Sequence, residues 1–218
     1  MKPLFIWVMV LFPVLLHAEK CSQTGQSLTS RGWSRQLRGV CLTDSVTANT
    51  FRSPDQTKTI VADGDGFHLK VDGKGVEWPE GKELVARGSE VSWSPTSSTF
   101  FINYGDGSGL DGWTLKVYVV SDGRVVNHDE INQQIVHRFR TGIGCLQTAV
   151  DPNVRGLGWS EGGTHIFAFA QATVNESCGQ QGDFRGVVAG LAGETIEQFY
   201  SEADTKRHFH NLLPFNMR

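Results

Sequence analysis

The stretch "YGDGSGLDGW", residues 104 to 113, sets Asp106, Ser108 and Asp111 among glycines, oxygen ligands of the kind a hard cation such as calcium accepts. Asp63 and Asp65 of "ADGDGF" are its possible helpers. The pattern departs from a calcium loop where Leu110 takes the third ligand position and where no Glu closes the run. A hairpin loop, with glycine supplying positive φ and aspartate bonding locally, is the plainer reading. As a phosphate cradle the run is poor, because Asp106 would repel the anion and no Lys follows. "GWSEG", residues 158 to 162, has the spacing of a nucleophile elbow around Ser160. An elbow requires a helix after the serine, whereas the following "THIFAFA" alternates as a strand, so Ser160 is read as a turn residue. His208 and His210 would share one side of a strand but lie nearly opposite on a helix, which the local pattern favours, so they are read as surface residues. His68, His128, His137 and His165 have no sequence-local carboxylate that would mark a triad.

The four cysteines, Cys21, Cys41, Cys145 and Cys178, form an even set that suits two disulfides. Cys21–Cys41 with Cys145–Cys178 closes the shortest loops and is favoured among three connectivities. A zinc site is the competing use, although no close C-x-x-C pair is present. Residues 1–18 carry Lys2, an apolar run from Leu4 to Leu16 and Ala18, the pattern of a secretory signal, with a retained anchor as the alternative. Its removal leaves residues 19–218 as a single domain with no integral membrane segment, destined for an oxidising compartment outside the cytoplasm. The formal charge of −3 over 218 residues, with no basic run, argues against a nucleic-acid partner. Asn175-Glu176-Ser177 fits a glycosylation acceptor.

The elements that must position these residues repeat. "RSPDQTKTIVA" at 52 to 62, "WSPTSSTFFI" at 93 to 102 and "GWSEGGTHIFAFA" at 158 to 170 each place a Ser before turn formers and then an alternating apolar run. The period of two predicts half-buried strands carrying Ile60 and Ala62, Phe100 and Ile102, and Ile166, Ala168 and Ala170. Further strands follow each corner, reversing at Asp72-Gly73, Asp122-Gly123 and Gly193. Ser53 and Ser94 are 41 positions apart, and Ser94 and Ser160 are 66 apart, so the second interval holds an insertion. That insertion is "NHDEINQQIVHRFRTG", a helix with Asn127 as its cap, Ile131, Ile135 and Phe139 on its apolar face and Gly142 at its end. A second short helix is predicted within "SEADTKRHFHNLL", capped by Ser201 with Asp204 three residues on. Trp93 and Trp159 precede equivalent corners and are read as packing between sheets, with ligand stacking as the alternative.

The corners resemble the Trp-Ser-Pro-Asp-Gly-Lys motif of bacterial β-propellers of the TolB and WD40-like type, which pair it with an Asp-Gly turn one strand later. The resemblance covers about two-thirds of the chain after the leader in three imperfect copies. Thr96 replaces the Asp in the second, and Glu161-Gly162 replaces Pro-Asp in the third. It implies an all-β or β-rich, propeller-like set of repeated antiparallel sheets with one inserted helix. Propellers close with four or more blades, so three copies leave either an incomplete ring or one completed by residues 21 to 50. A sandwich of hairpins is the alternative architecture.

No catalytic set stands out, and repeat scaffolds present variable surfaces. The sequence therefore points to a secreted or periplasmic, non-enzymatic module that binds another protein and needs no cofactor other than a possible calcium ion. The rival is a secreted hydrolase whose acidic and histidine residues converge from several repeats, with Asp106, Asp111 and His165 as first candidates.

Overall fold

In the computed structural model of the chain, the residues described are 49–86, 89–105, 113–143, 151–172 and 183–213. The molecule is β-rich: among the described residues three four-stranded antiparallel sheets follow one another along the chain. The first comprises β1 (Asn49–Arg52), β2 (Lys58–Asp63), β3 (Gly66–Val71) and β4 (Lys74–Val76). The second comprises β5 (Glu90–Trp93), β6 (Thr99–Tyr104), β7 (Thr114–Ser121) and β8 (Arg124–Asn127), and the third β9 (Asn153–Trp159), β10 (His165–Gln171), β11 (Phe184–Gly190) and β12 (Thr195–Tyr200). Each sheet is a meander in which neighbouring strands are sequence neighbours. A short 3-10 helix, Glu80–Glu83, links the first two sheets; α1 (Asp129–Gly142) links the second and third, and α2 (Glu202–Phe209) follows the last.

The repeated corners have one geometry. Ser53, Ser94 and Ser160 each donate their backbone N–H to the carbonyl five residues on, at 2.9, 2.8 and 3.0 Å. Each side-chain oxygen accepts the N–H of that same residue, Lys58 at 3.0 Å, Thr99 at 3.3 Å and His165 at 3.1 Å. The left-handed position falls three residues after the serine every time, at Gln56 (φ 64°), Ser97 (φ 61°) and Gly163 (φ 66°). Ser160 is thus a turn residue, as its context in the sequence indicates. Asp72-Gly73 and Asp122-Gly123 reverse the chain with positive φ at both residues. In the third sheet the turn is longer, and Glu194 (φ 48°) rather than Gly193 takes the left-handed position.

The sheets stack face on face. Ile60, Ala62, Phe67 and Leu69 of the first sheet pack with Trp93, Phe100, Ile102 and Tyr118 of the second. The opposite face of the second, through Phe101, Leu115 and Val117, meets Trp159, Ile166, Ala168 and Val187 of the third, with Ile131, Ile135 and Phe139 of α1 in the same core. The outer face of the third sheet is covered by Phe209 and Leu213, the former on α2, against Leu157, Phe169 and Phe184. The expectation of half-buried strands therefore needs correcting for β6: Thr99 to Asn103 are all buried, because the second sheet is covered on both faces. The helix cap also differs. Asn127 belongs to β8 and donates from Nδ2 to Glu80 Oε2 at 2.7 Å, while His128 occupies the N-cap of α1 with no side-chain capping bond. The end of α1 at Gly142 and the Ser201 cap of α2, whose Oγ accepts from Asp204 N at 3.2 Å, follow the sequence reading.

No helix among the described residues is long and apolar enough to cross a membrane. Cys21, Cys41, Cys145 and Cys178 lie outside the described residues, as do residues 1–18.

Candidate functional site

The meander sends its connections to two ends of the stack. At one end lie the three five-residue corners and the β3–β4, β7–β8 and β11–β12 turns. Adjacent corners touch there: Asp55 N donates to Ser97 Oγ at 3.0 Å, and Gly163 packs on Thr96. At the other end the β2–β3, β6–β7 and β10–β11 connections have two, nine and twelve residues. The corner end is therefore uniform and the loop end variable.

A polar node anchors the base of the loop end between the second and third sheets. Glu90, which opens β5, is buried and receives Arg155 of β9 in a fork: Nε donates to Oε2 at 2.9 Å and Nη2 to Oε1. Asn103 of β6, fully buried, donates from Nδ2 to the same Oε2 at 2.9 Å and to Gly156 O at 2.9 Å, while its Oδ1 accepts Gly156 N at 2.6 Å. A fork of this kind fixes both distance and orientation, and the asparagine adds a second donor to Oε2 and pairs with the edge of β9. The Arg155 guanidinium lies 4.8 Å from the Trp113 ring centroid, a cation–π contact. Trp113 is held in turn by Asn153, whose Oδ1 accepts its N–H at 2.8 Å. Tyr104 ends β6 and Trp113 precedes β7, so both stand beside this node of Glu90, Asn103 and Arg155.

Asp106, Ser108 and Asp111, the candidate calcium ligands, lie outside the described residues. Asp63 is engaged locally: its Oδ1 accepts Asp65 N at 2.9 Å and faces His68 Nε2 at 3.3 Å. Among the described residues no group of three or more His, Cys, Asp or Glu side chains is placed to hold a metal ion. His208 lies on α2 with its ring 4.9 Å from that of Tyr200, and His210 is the helix C-cap, so the two do not converge on one face.

The repeat-equivalent tryptophans are structural. Trp93 Nε1 donates to Phe51 O at 3.2 Å and Trp159 Nε1 to Ser92 Oγ at 3.1 Å, each reaching from one sheet to the position two residues before the preceding corner serine. A second clasp, at Glu80, joins the first linker to the second sheet by accepting Lys116 Nζ at 2.7 Å and Asn127 Nδ2 at 2.7 Å. Burial, reinforced by Glu80, pushes the Tyr118 phenol far above its ordinary value, so it stays neutral.

His165 acquires a carboxylate partner that its sequence neighbourhood does not show. Its Nε2 lies 3.0 Å from Glu197 Oε2 and its Nδ1 2.9 Å from Thr164 Oγ1. Sequence reasoning missed this carboxylate, and Glu90 with Arg155, because partners 32 and 65 residues apart meet only through the strand register. The available signal was a charged residue at the start of an otherwise uncharged strand, at Glu90. The chain matches no family model and no curated protein.

Proposed function

We propose that the protein is a binding module, exported from the cytoplasm, that captures another protein with the loop end of a propeller-like stack. The observation that carries this reading is the asymmetry of the two ends. Three corners of one geometry stiffen one end, while connections of two, nine and twelve residues leave the other, where the Glu90–Arg155 pair stands between the second and third sheets. Binding surfaces are typically built from variable loops on a rigid scaffold. The corner motif supports the propeller-like reading, since its TolB and WD40-like counterparts sit on four-stranded antiparallel blades, and the leader and paired cysteine count support export. In this reading the three sheets are blades of an incomplete ring.

Site-specific photo-crosslinking in the native host tests the proposal. Photo-reactive residues at Asp65 and Asp151 sample the loop end, and those at Gln56 and Asp122 sample the corner end; all four positions are exposed. A discrete protein adduct from the loop-end positions alone is the expected result. Adducts from the corner end alone, or equal adducts from both ends, would overturn the assignment of the binding face.

A further inference from the structure

We propose that Thr164, His165 and Glu197 form a nucleophilic relay in which Thr164 Oγ1 takes the acyl group of small, activated carboxylic esters. This activity is independent of the binding reading, because the relay lies at the corner end, away from the loops. The Glu197 carboxylate accepts a hydrogen bond at 3.0 Å and so places the proton of the neutral imidazole on Nε2. Nδ1 is then an acceptor, and the Thr164 hydroxyl donates to it at 2.9 Å. Hydroxyl, imidazole and carboxylate in that order is the arrangement by which a weak nucleophile is activated. Thr164 is exposed, so a small substrate reaches it without passing through the core.

Comparison among the three sheets shows that this constellation is local to one of them. Thr57 and Ser98 occupy the position of Thr164, but the next residue is Lys58 or Thr99 in place of His165. The cross-strand partner of that residue is Val71 in the first sheet, Val119 in the second and Gly190 in the third. A Cβ at residue 190 would lie 2.4 Å from Glu197 Oε1, so the glycine leaves the carboxylate room to cross β11 in the position it occupies. The ladder between β11 and β12 also shifts, pairing Val188 with Gln198 and Ala189 with Ile196 and leaving Glu197 as the extra residue. Bulges of this kind re-aim a side chain. The β3–β4 and β7–β8 ladders have no such shift. Histidine, glycine and bulge are three departures from the repeat, and all serve one contact.

In the reaction, Thr164 Oγ1 attacks the ester carbonyl carbon while its proton passes to His165 Nδ1. Collapse of the tetrahedral adduct breaks the bond to the alcohol, which departs with that proton and leaves Thr164 acylated. Water then repeats the sequence, losing a proton to His165 and releasing the carboxylic acid as Thr164 regains its hydrogen. Thr164 is the nucleophile, His165 the general base and acid, and Glu197 a positioning residue.

The test uses the full chain with p-nitrophenyl acetate, following acetylation site by site by peptide mass mapping. Acetylation of Thr164 at least about 100-fold faster than that of Thr57 or Ser98 is the expected result, the scale of general-base assistance. The Glu197→Gln variant, altered at an exposed side chain, is expected to bring Thr164 down toward the rate of those two internal controls, and Thr164→Ser to keep the fast reaction. His165→Gln should do the same as Glu197→Gln; if it fails to fold, Glu197→Gln carries the comparison. Equal acetylation at the three corners, labelling confined to lysines, or an unchanged rate in Glu197→Gln would overturn the proposal.

Discussion

At the scale of single residues, the corners show one geometry met by different chemistry. The residue two after the serine is Asp55 in the first corner, Thr96 in the second and Gly162 in the third. Asp55 accepts from Ser53 Oγ at 2.5 Å, Thr57 N at 3.0 Å and Lys58 Nζ at 3.3 Å, whereas Thr96 Oγ1 meets Ser94 Oγ at 2.9 Å. Burial opposes the charge on Asp55, but the hydrogen bonds from Ser53, Thr57 and Lys58 outweigh it and hold its carboxyl well below the usual carboxylate range. A folded-state value below the unfolded one near about 4 stabilises the fold in full above that pH, and the stabilisation is lost as pH falls through the folded value. Asp55→Asn is therefore expected to be less stable than the parent near neutral pH. The difference should shrink steadily below about pH 4 in urea titrations. A difference independent of pH would show that the charge plays no part in the corner.

At the scale of elements, α2 is held by a notch. Gly186 of β11 donates its N–H to Thr205 Oγ1 at 2.7 Å, and a Cβ there would lie 2.6 Å from that oxygen and 2.7 Å from the Phe209 ring. Gly186→Val should lift α2 from the third sheet at a cost of about 1–3 kcal/mol, the range for overpacking, with exchange of the α2 amides accelerated in hydrogen-exchange mass spectrometry. Unchanged exchange would mean that α2 tolerates the displacement. Elements were legible wherever their signals were local: the corners from Ser-Pro and hydroxyl spacing, the hairpins from Asp-Gly, and α2 from Ser201 and Asp204. They were misread where a distant partner decided. Asn127 caps nothing because Glu80, 47 residues earlier, claims its amide while β8 claims its backbone. Alternation did not reveal that Phe101 is as buried as Phe100, since a strand inside a stack has no solvent face.

At the scale of the whole molecule, stability depends on how the sheets are joined. Apolar stacking joins all three, but the second and third are also locked by a partly buried fork between Glu90 and Arg155, with side-chain exposures of 10% and 22%. Removing the carboxylate costs Arg155 its partner and the buried Asn103 amide an acceptor, so Glu90→Ala is expected to destabilise by about 1–3 kcal/mol. The loss should appear in chemical denaturation as a lower midpoint with a single transition. A separate early transition of the third sheet would show that the node, and not the apolar stack, makes the molecule cooperative. The loop end stands on this node, so the same variant should loosen residues 104 and 113 before it affects the corners.

The strict meander has one more effect, on how the chain finds this structure. Among the described residues every ladder joins strands that are sequence neighbours, and each four-stranded sheet precedes the next along the chain. Contacts of short sequence separation are reached quickly, because little chain entropy is lost in closing them. Synthesis from the N-terminal side can therefore deposit the sheets one at a time, each new one forming on the apolar face of its predecessor. The outer face of the third sheet stays sticky until α2 has been made, so the span between completing β12 and docking α2 is a window in which a nascent chain offers that face to its neighbours.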